Sequence, residues 1–124
     1  MTNSEISKIL HQEPQLSLFG FSRGDNQKER EEIFHHIKEL DACCDWLEPM
    51  RKNKHVNRRR SSYTYKHMVE VETGLYIPNG VFIVAAIHRG FKFERTIRGT
   101  NAIFNMAEIP IRTWMNAHPN VCLA

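Results

Sequence analysis

The sequence predicts a small α+β domain of three to four helices followed by a C-terminal β-hairpin. Three observations carry this prediction: apolar residues at helical spacing after residue 26, an all-apolar run over 81–87, and a strand-like alternation over 91–97. A chain of 124 residues that is 41% hydrophobic supports one modest core. The expected organisation is an N-terminal segment over 1–25, a single domain over 26–115 and a tail over 116–124.

The first two helices are predicted from caps and periodicity. A short helix is expected over about 3–12, before Pro14. A longer helix is expected to begin at Asn26, its N-cap, and to run to Pro49. Its core face is predicted to consist of apolar residues that recur at helical spacing: Ile33, Ile37, Leu40, Cys44 and Leu47.

Two further helices are expected in the middle of the chain. Ser61 or Ser62 can cap a helix that reaches about Thr73 and stops at Gly74. The apolar run over 81–87 predicts a helix buried on all sides. A strand is the alternative there, because residues 81–84 are β-branched or aromatic, although the following alanines favour a helix.

A hairpin is predicted after this buried helix. Residues 91–97 alternate like a half-exposed strand, residues 99–101 turn, and residues 102–106 return. Pro110 is expected to close the hairpin, and a last short helix should contain Ile111.

One short motif near the N-terminus carries most of the functional information. It lies between Pro14 and Gly20, in a stretch rich in turn residues that predicts irregular, solvent-accessible backbone. It consists of five residues: Gln15, Leu16, Ser17, Leu18 and Phe19. These five residues resemble the short motif by which bacterial polymerases, repair proteins and replication-initiation factors bind the sliding clamp, the ring-shaped beta subunit of DNA polymerase III.

The resemblance implies that Gln15, Leu18 and Phe19 make the main contacts with the clamp, with Leu16 as a helper. Burial of two large apolar side chains contributes about 3–6 kcal/mol before ordering costs, so the expected affinity is about micromolar. In the alternative interpretation, an edge strand or loop packed on the core is formed by Leu16, Leu18, Phe19 and Phe21, which their alternation also allows.

A basic segment predicts contact with nucleic acid. The formal net charge is only +3, but residues 49–69 contain no acidic residue. Such a cluster attracts phosphates, and Tyr63 or Tyr65 could stack on an unpaired base. A solvated linker, or a site for an acidic protein, is the alternative. The candidate DNA contacts are Arg51, Lys52, Lys54, Arg58, Arg59, Arg60 and Lys66, together with Arg95 and Arg98 near the hairpin tip.

The order of elements weakly resembles a winged helix-turn-helix protein. The helix ending near Thr73 and the one over 81–87 would form the helix pair, and the hairpin would be the wing. A recognition helix needs an exposed polar face, which residues 81–87 do not offer. We therefore expect backbone contacts from the basic connector over 51–60 and from the wing arginines, with little sequence preference.

Other functional classes find little support in the sequence. No phosphate-binding loop, nucleophile elbow or paired-carboxylate spacing is present, so no catalytic residues are assigned and the protein is expected not to be an enzyme. The histidines and the three cysteines lack metal-ligand spacing, so neither a metal nor a cofactor is expected. No membrane span or secretory signal is predicted, which favours a cytoplasmic, nucleoid-associated location.

Together these features predict a non-catalytic accessory protein that docks on the bacterial sliding clamp, contacts DNA through its basic segment, and modulates replication or repair. Two alternatives remain open. One is a phage- or toxin-like inhibitor that blocks the clamp without binding DNA, and the other is a winged-helix transcriptional regulator.

Overall fold

A computed structural model describes residues 1–121 and shows a small α+β fold. In that range the chain forms six helices and two antiparallel hairpins. In chain order the elements are α1 (Asn3–Gln12), β1 (Leu16–Ser17), β2 (Gly20–Phe21), α2 (Gln27–Glu32), α3 (Ile37–Leu47), α4 (Ser62–Thr73), α5 (Asn79–His88), β3 (Phe93–Arg95), β4 (Ala102–Phe104) and α6 (Glu108–Ala117). The residues beyond 121, which include Cys122 and the end of the predicted tail, lie outside the described range.

Helix α5 forms the centre of the molecule. It packs against α1, α3 and α4 and also contacts β2. Its residues from Val81 to Ala86 are fully buried, because a helix that is apolar on every side must be covered on every side. The helical prediction for this run is therefore confirmed, and the strand alternative is wrong.

Helix α4 lies where it was predicted, and Gly74 ends it. Gly74 adopts a left-handed conformation with φ of 73°, and its amide donates to the carbonyl of Glu70 across 2.8 Å. Ser61 occupies the predicted N-cap position, but its side chain makes no capping hydrogen bond. The hydroxyl of Ser62 instead accepts from the amide of Ala102, which ties α4 to β4.

The long helix predicted over 26–49 is divided in two. A 3-10 turn over Ile33–His35 separates α2 from α3. Asn26 occupies the predicted N-cap position of α2, but its side chain makes no capping hydrogen bond, and its Nδ2 donates to the hydroxyl of Ser22. The predicted core stripe is largely confirmed. Ile33, Leu40, Cys44 and Leu47 are buried, Ile37 is half-buried, and Cys43 is buried as well.

The C-terminal hairpin is confirmed, and the basic connector lies along its outer edge. In the hairpin Phe93 pairs with Phe104, and Arg95 pairs with Ala102. The amide of Asn57 donates to the carbonyl of Phe104 across 2.7 Å, and two further connector residues, Lys52 and Asn53, pair with Met106 and Asn105. The connector is therefore held to the hairpin by backbone hydrogen bonds.

The N-terminal segment belongs to the same core as the rest of the chain. Ile6 and Leu10 of α1 are buried with Leu16, Leu18 and Phe21 in one continuous apolar cluster. The predicted boundary at residue 25 therefore does not separate this segment from the domain. Across residues 1–121, no helix has both the length and the apolar character needed to cross a bilayer.

Candidate functional site

The motif over residues 15–19 forms a tight hairpin and not an irregular strip. Leu16 pairs with Phe21, and Ser17 pairs with Gly20, so Leu18 and Phe19 form the two-residue turn. Leu16 and Ser17 are buried, and Leu18 is 8% exposed, whereas Phe19 is 56% exposed. The prediction of solvent-accessible backbone is wrong here. In the folded protein only Phe19 and the exposed Gln15 are available to a partner.

Helix α5 holds this hairpin by direct backbone contact. The amide of Gly80 donates to the carbonyl of Leu18 across 2.8 Å. A Cβ atom on Gly80 would lie 1.7 Å from the carbonyl oxygen of Ser17. Only glycine permits this approach, because any side chain would collide with the strand.

Arg30 of α2 holds the same segment from the other side. Its guanidinium donates three hydrogen bonds to backbone carbonyls, at 2.6 Å to Leu10, 2.9 Å to Glu13 and 2.7 Å to Leu16. The carbonyl of Leu10 is near the end of α1, where helix carbonyls lack partners within the helix. Arg30 therefore joins α1, α2 and β1.

Acidic residues from distant parts of the chain pair with the three consecutive arginines of the basic connector and offset part of their charge. Arg58 pairs with Glu94 of β3 at 3.0 Å. Arg60 pairs with Glu108 at 3.1 Å, and Arg59 lies 3.9 Å from the same carboxylate. These three arginines are thus less available to phosphates than their sequence predicted.

Glu108 is the centre of this ion-pair cluster. Its partial burial would raise the pKa of the carboxyl, but hydrogen bonds from Asn57, Arg60 and Arg112 outweigh that effect and lower the pKa to about 2. The carboxylate is therefore charged throughout the physiological range. Its function in the fold is to fasten the connector to the start of α6.

The other predicted DNA contacts are spread over the surface. Lys66 is only 6% exposed and pairs with Glu70 at 3.5 Å. In this conformation it is not accessible to a phosphate, so the prediction of a direct DNA contact by Lys66 is wrong. Lys52 lies over the ring of Phe91. Arg51 and Lys54 are exposed beside it, at the end of the C-terminal hairpin opposite to its turn.

Arg95 and Arg98 come together in a cleft with a third arginine. The cleft is open, has a volume of about 710 Å³, and lies between the two hairpins. Its charged lining residues are Arg23, Arg95 and Arg98, and among the described residues its other lining side chains are neutral. We call this feature the arginine cleft. None of its three arginines takes part in an ion pair within residues 1–121.

Arg95 joins the two walls of the arginine cleft. Its guanidinium lies 4.5 Å from the ring centroid of Phe21 and donates to Oε1 of Gln15 across 2.6 Å. Stacking on an aromatic ring holds a guanidinium in place while most of its N–H donors stay free. The geometry therefore presents a positioned, planar donor to the cleft.

The turn of the C-terminal hairpin positions Arg98. This residue adopts a left-handed backbone conformation with φ of 61°, which is uncommon for any residue other than glycine, asparagine or aspartate. The turn is closed by hydrogen bonds from the amide and the hydroxyl of Thr96 to the carbonyl of Asn101. The amide of Phe21 donates to Thr100 across 2.9 Å and fixes the turn to the N-terminal hairpin.

Sequence reasoning identified two of the three arginines in the cleft and missed Arg23. This residue lies 72 positions before Arg95 in the chain, and only the packing of one hairpin against the other brings them together. Periodicity and local charge do not reveal a partner so distant.

Helix α5 offers no recognition surface. From Asn79 to Ala86 every residue is buried, so this stretch has no polar face to place in a major groove.

The described residues contain no group of three or more histidine, cysteine, aspartate or glutamate side chains arranged to hold a metal ion.

Comparisons with known proteins leave the site to be interpreted from its geometry. No protein-family model, no curated protein and no solved structure showed significant similarity to the chain.

Proposed function

We propose that the protein binds nucleic acid through the arginine cleft, as a non-catalytic accessory protein of replication or repair. The observation that carries the proposal is a contrast between arginines. Arg58, Arg59 and Arg60 face carboxylates, whereas Arg23, Arg95 and Arg98 line a cleft whose other described side chains are neutral. Guanidinium groups suit phosphates because their planar N–H donors match two phosphate oxygens at once.

The neutral residues of the cleft support the same function. Ser22, Thr96 and Thr100 line it with hydroxyl groups, and Gly99 brings backbone close to its surface. Hydroxyl and amide donors commonly supplement arginines in contacts with the sugar-phosphate backbone. Such contacts fix position without reading sequence, so we expect little sequence preference.

A salt titration with matched variants tests this proposal. Fluorescence anisotropy with a labelled oligonucleotide should show affinity that falls as salt rises, with a logarithmic slope of about 2 to 3 for three phosphate contacts. The variant Arg23→Gln, Arg98→Gln should bind more weakly and lower that slope by about 2.

The control is Arg58→Gln, Arg112→Gln, which removes the same total charge from exposed, already paired arginines. Its slope should stay within about 0.5 of the wild type. Equal loss in both variants would assign the binding to net charge and not to the cleft. No binding by the wild type at low salt would overturn the proposal.

A second candidate is docking on the bacterial sliding clamp through residues 15–19, and the exposure of Phe19 favours it. We propose that such docking requires the hairpin to leave α5, because Leu16 and Leu18 are buried in the folded protein. Exposing Leu16 and Leu18 costs about 3–6 kcal/mol, which lowers the affinity of the intact protein about 10²- to 10⁴-fold below that of a free peptide.

Immobilised clamp provides the test. A synthetic peptide covering residues 12–22 should bind more tightly than the intact protein, and Phe19→Ala should abolish retention of both. Ile109→Ala, which changes an exposed apolar residue elsewhere, should be retained like the wild type. Equal retention of wild type and Phe19→Ala would end this second proposal.

A clamp-blocking inhibitor without nucleic-acid binding would show clamp retention and a flat anisotropy titration. A sequence-specific regulator would select a preferred duplex and ignore the clamp. Clamp retention and anisotropy separate the blocking inhibitor from the other candidates. A selection from random duplexes separates the sequence-specific regulator from a protein that binds through the arginine cleft with little sequence preference.

A further inference from the structure

A second groove adjoins the arginine cleft and carries exposed aromatic rings. It has a volume of about 460 Å³ and shares Thr100 with the cleft. Three of its aromatic side chains are exposed: Phe19 by 56%, Tyr63 by 42% and Tyr76 by 65%. We call this feature the aromatic groove. Exposed rings clustered in one concave site mark a binding surface, whereas singly scattered apolar residues do not.

Lys66 lies between two of these rings. Its ammonium is 5.0 Å from the ring centroid of Tyr63 and 5.4 Å from that of Tyr76. Glu70, at 3.5 Å, pairs with the ammonium. Because this buried cation attracts both rings, it holds two aromatic side chains that come from different parts of the chain beside one another.

Asn79 supplies an unpaired polar atom in the same groove. The residue is 7% exposed, and its Nδ2 atom is surrounded by oxygen acceptors from Asn101, Thr100 and Phe19, at 2.9, 3.4 and 3.5 Å. These acceptors fix the orientation of the amide, so its Oδ1 atom is left buried without a hydrogen-bond donor. A buried acceptor without a partner costs about 1–3 kcal/mol, so the amide of Asn79 is held at the base of the groove in a conformation that is costly for the free protein.

From these features we infer that the aromatic groove takes an unpaired base of a single-stranded nucleic acid whose phosphates occupy the arginine cleft. The inference rests on the proposed function. A nucleobase has a flat face for the exposed rings of Tyr63 and Tyr76 and N–H groups for hydrogen bonds within the groove. In a duplex these faces are stacked and the N–H groups are paired, so the groove selects single strands.

The continuity of the two sites supports this occupant. Thr100 borders both the aromatic groove and the arginine cleft, so a base and a neighbouring phosphate of one strand reach adjacent surfaces. Positive charge on one side and stacking surfaces on the other are the combination by which proteins bind single strands.

Anisotropy with labelled 12-nucleotide single strands, and with the duplex of the same sequence, tests the inference. The wild type should bind the single strand at least about 10-fold more tightly than the duplex. Tyr76→Ala should lower single-strand affinity about 5- to 100-fold and leave duplex affinity unchanged. Tyr76→Phe should retain the affinity, because it keeps the ring.

The matched control is Ile109→Ala, an exposed apolar residue on α6 that lies outside the groove. Deoxyribose and ribose strands of the same sequence show which sugar is preferred. Tyr63→Ala removes a second ring of the groove and should also lower single-strand affinity. Circular dichroism melting should show that all variants are folded.

The possible outcomes separate this inference from the proposed function. If the Arg23→Gln, Arg98→Gln variant loses affinity while Tyr63→Ala and Tyr76→Ala keep it, the groove inference is overturned and the cleft proposal survives. Duplex binding as tight as single-strand binding also overturns the inference. A wild type that binds no nucleic acid overturns both.

Discussion

Gly80 donates its amide hydrogen to the carbonyl of Leu18 across 2.8 Å, so the first turn of α5 rests directly on the backbone of the N-terminal hairpin. This contact joins α5, which is buried from Asn79 to Ala86, to the segment whose sequence resembles a clamp-binding motif. It depends on the absence of a side chain at residue 80, since a Cβ atom there would lie 1.7 Å from the carbonyl oxygen of Ser17.

Gly80→Ala should therefore destabilise the protein by about 3 kcal/mol or more, although alanine normally stabilises a helix relative to glycine. Gly24→Ala is the control, because Gly24 has positive φ but open space around it, and it should cost only about 1 kcal/mol. Urea unfolding measures both. A Gly80→Ala variant as stable as the wild type would show that the hairpin is not held against α5.

The two turn residues of the motif should differ sharply in their effect on stability. Leu18→Ala removes a buried side chain and should lower the free energy of unfolding by about 2–4 kcal/mol. Phe19→Ala removes an exposed ring and should change it by no more than about 0.5 kcal/mol. Thermal melts followed by circular dichroism check both values. Comparable losses would mean that Phe19 is packed in the core.

Arg30→Lys should destabilise the protein by about 1–3 kcal/mol, although it keeps the charge. A lysine ammonium cannot reach the three separate carbonyls that the planar guanidinium of Arg30 bonds. Lys28→Gln, an exposed change on the same helix, should have little effect. Amide hydrogen exchange in α1 and β1 should also quicken in the Arg30 variant, and unchanged exchange there would contradict the three-way contact.

Glu108 should make stability depend on pH in the acid range. Its folded pKa of about 2 lies below its ordinary value of 4.5, so the unfolded chain takes up this proton at higher pH than the folded protein. The stabilisation is complete above pH 4.5 and is lost as the pH falls toward 2. Glu108→Gln should cost about 2 kcal/mol at neutral pH.

Urea unfolding of the Glu108→Gln variant and the wild type at several pH values measures this difference, which should shrink between pH 4.5 and 2. Glu94→Gln, which removes a half-exposed carboxylate with one partner, should show a much smaller dependence. A constant difference between wild type and Glu108→Gln over that interval would contradict the assigned pKa.

The sequence was sufficient for those elements whose signals are local. The apolar run over 81–87, the stop at Gly74 and the alternation after Phe91 each predict an element from neighbouring residues, and the structure confirms all three. The break at Ile33–His35 could not be predicted in this way. The apolar spacing continues through it, and it accompanies the contacts that Arg30 makes with α1 and β1.

The candidate site was only partly predictable, because its electrostatics depend on distant pairings. The arginines at 58–60 are candidate phosphate contacts in the sequence, but in the fold Glu94 and Glu108 lie beside them. Conversely, Arg23 gains importance only because Phe21 and Thr100 bring the two hairpins together. Burial of Leu18 likewise follows from the glycine at residue 80, which no pattern within the motif reveals.

The hydrogen bond from Phe21 to Thr100 makes the two proposed partners competitors. If Leu18 left the core to bind the clamp, β2 would move away from the turn over 96–101. The contact between Phe21 and Arg95, which forms one wall of the arginine cleft, would then be lost. A strand bound in the cleft would in turn favour the closed hairpin. By thermodynamic linkage, each ligand would then lower the affinity for the other by the same factor. One molecule would therefore bind either the sliding clamp or the nucleic acid, but not both at once.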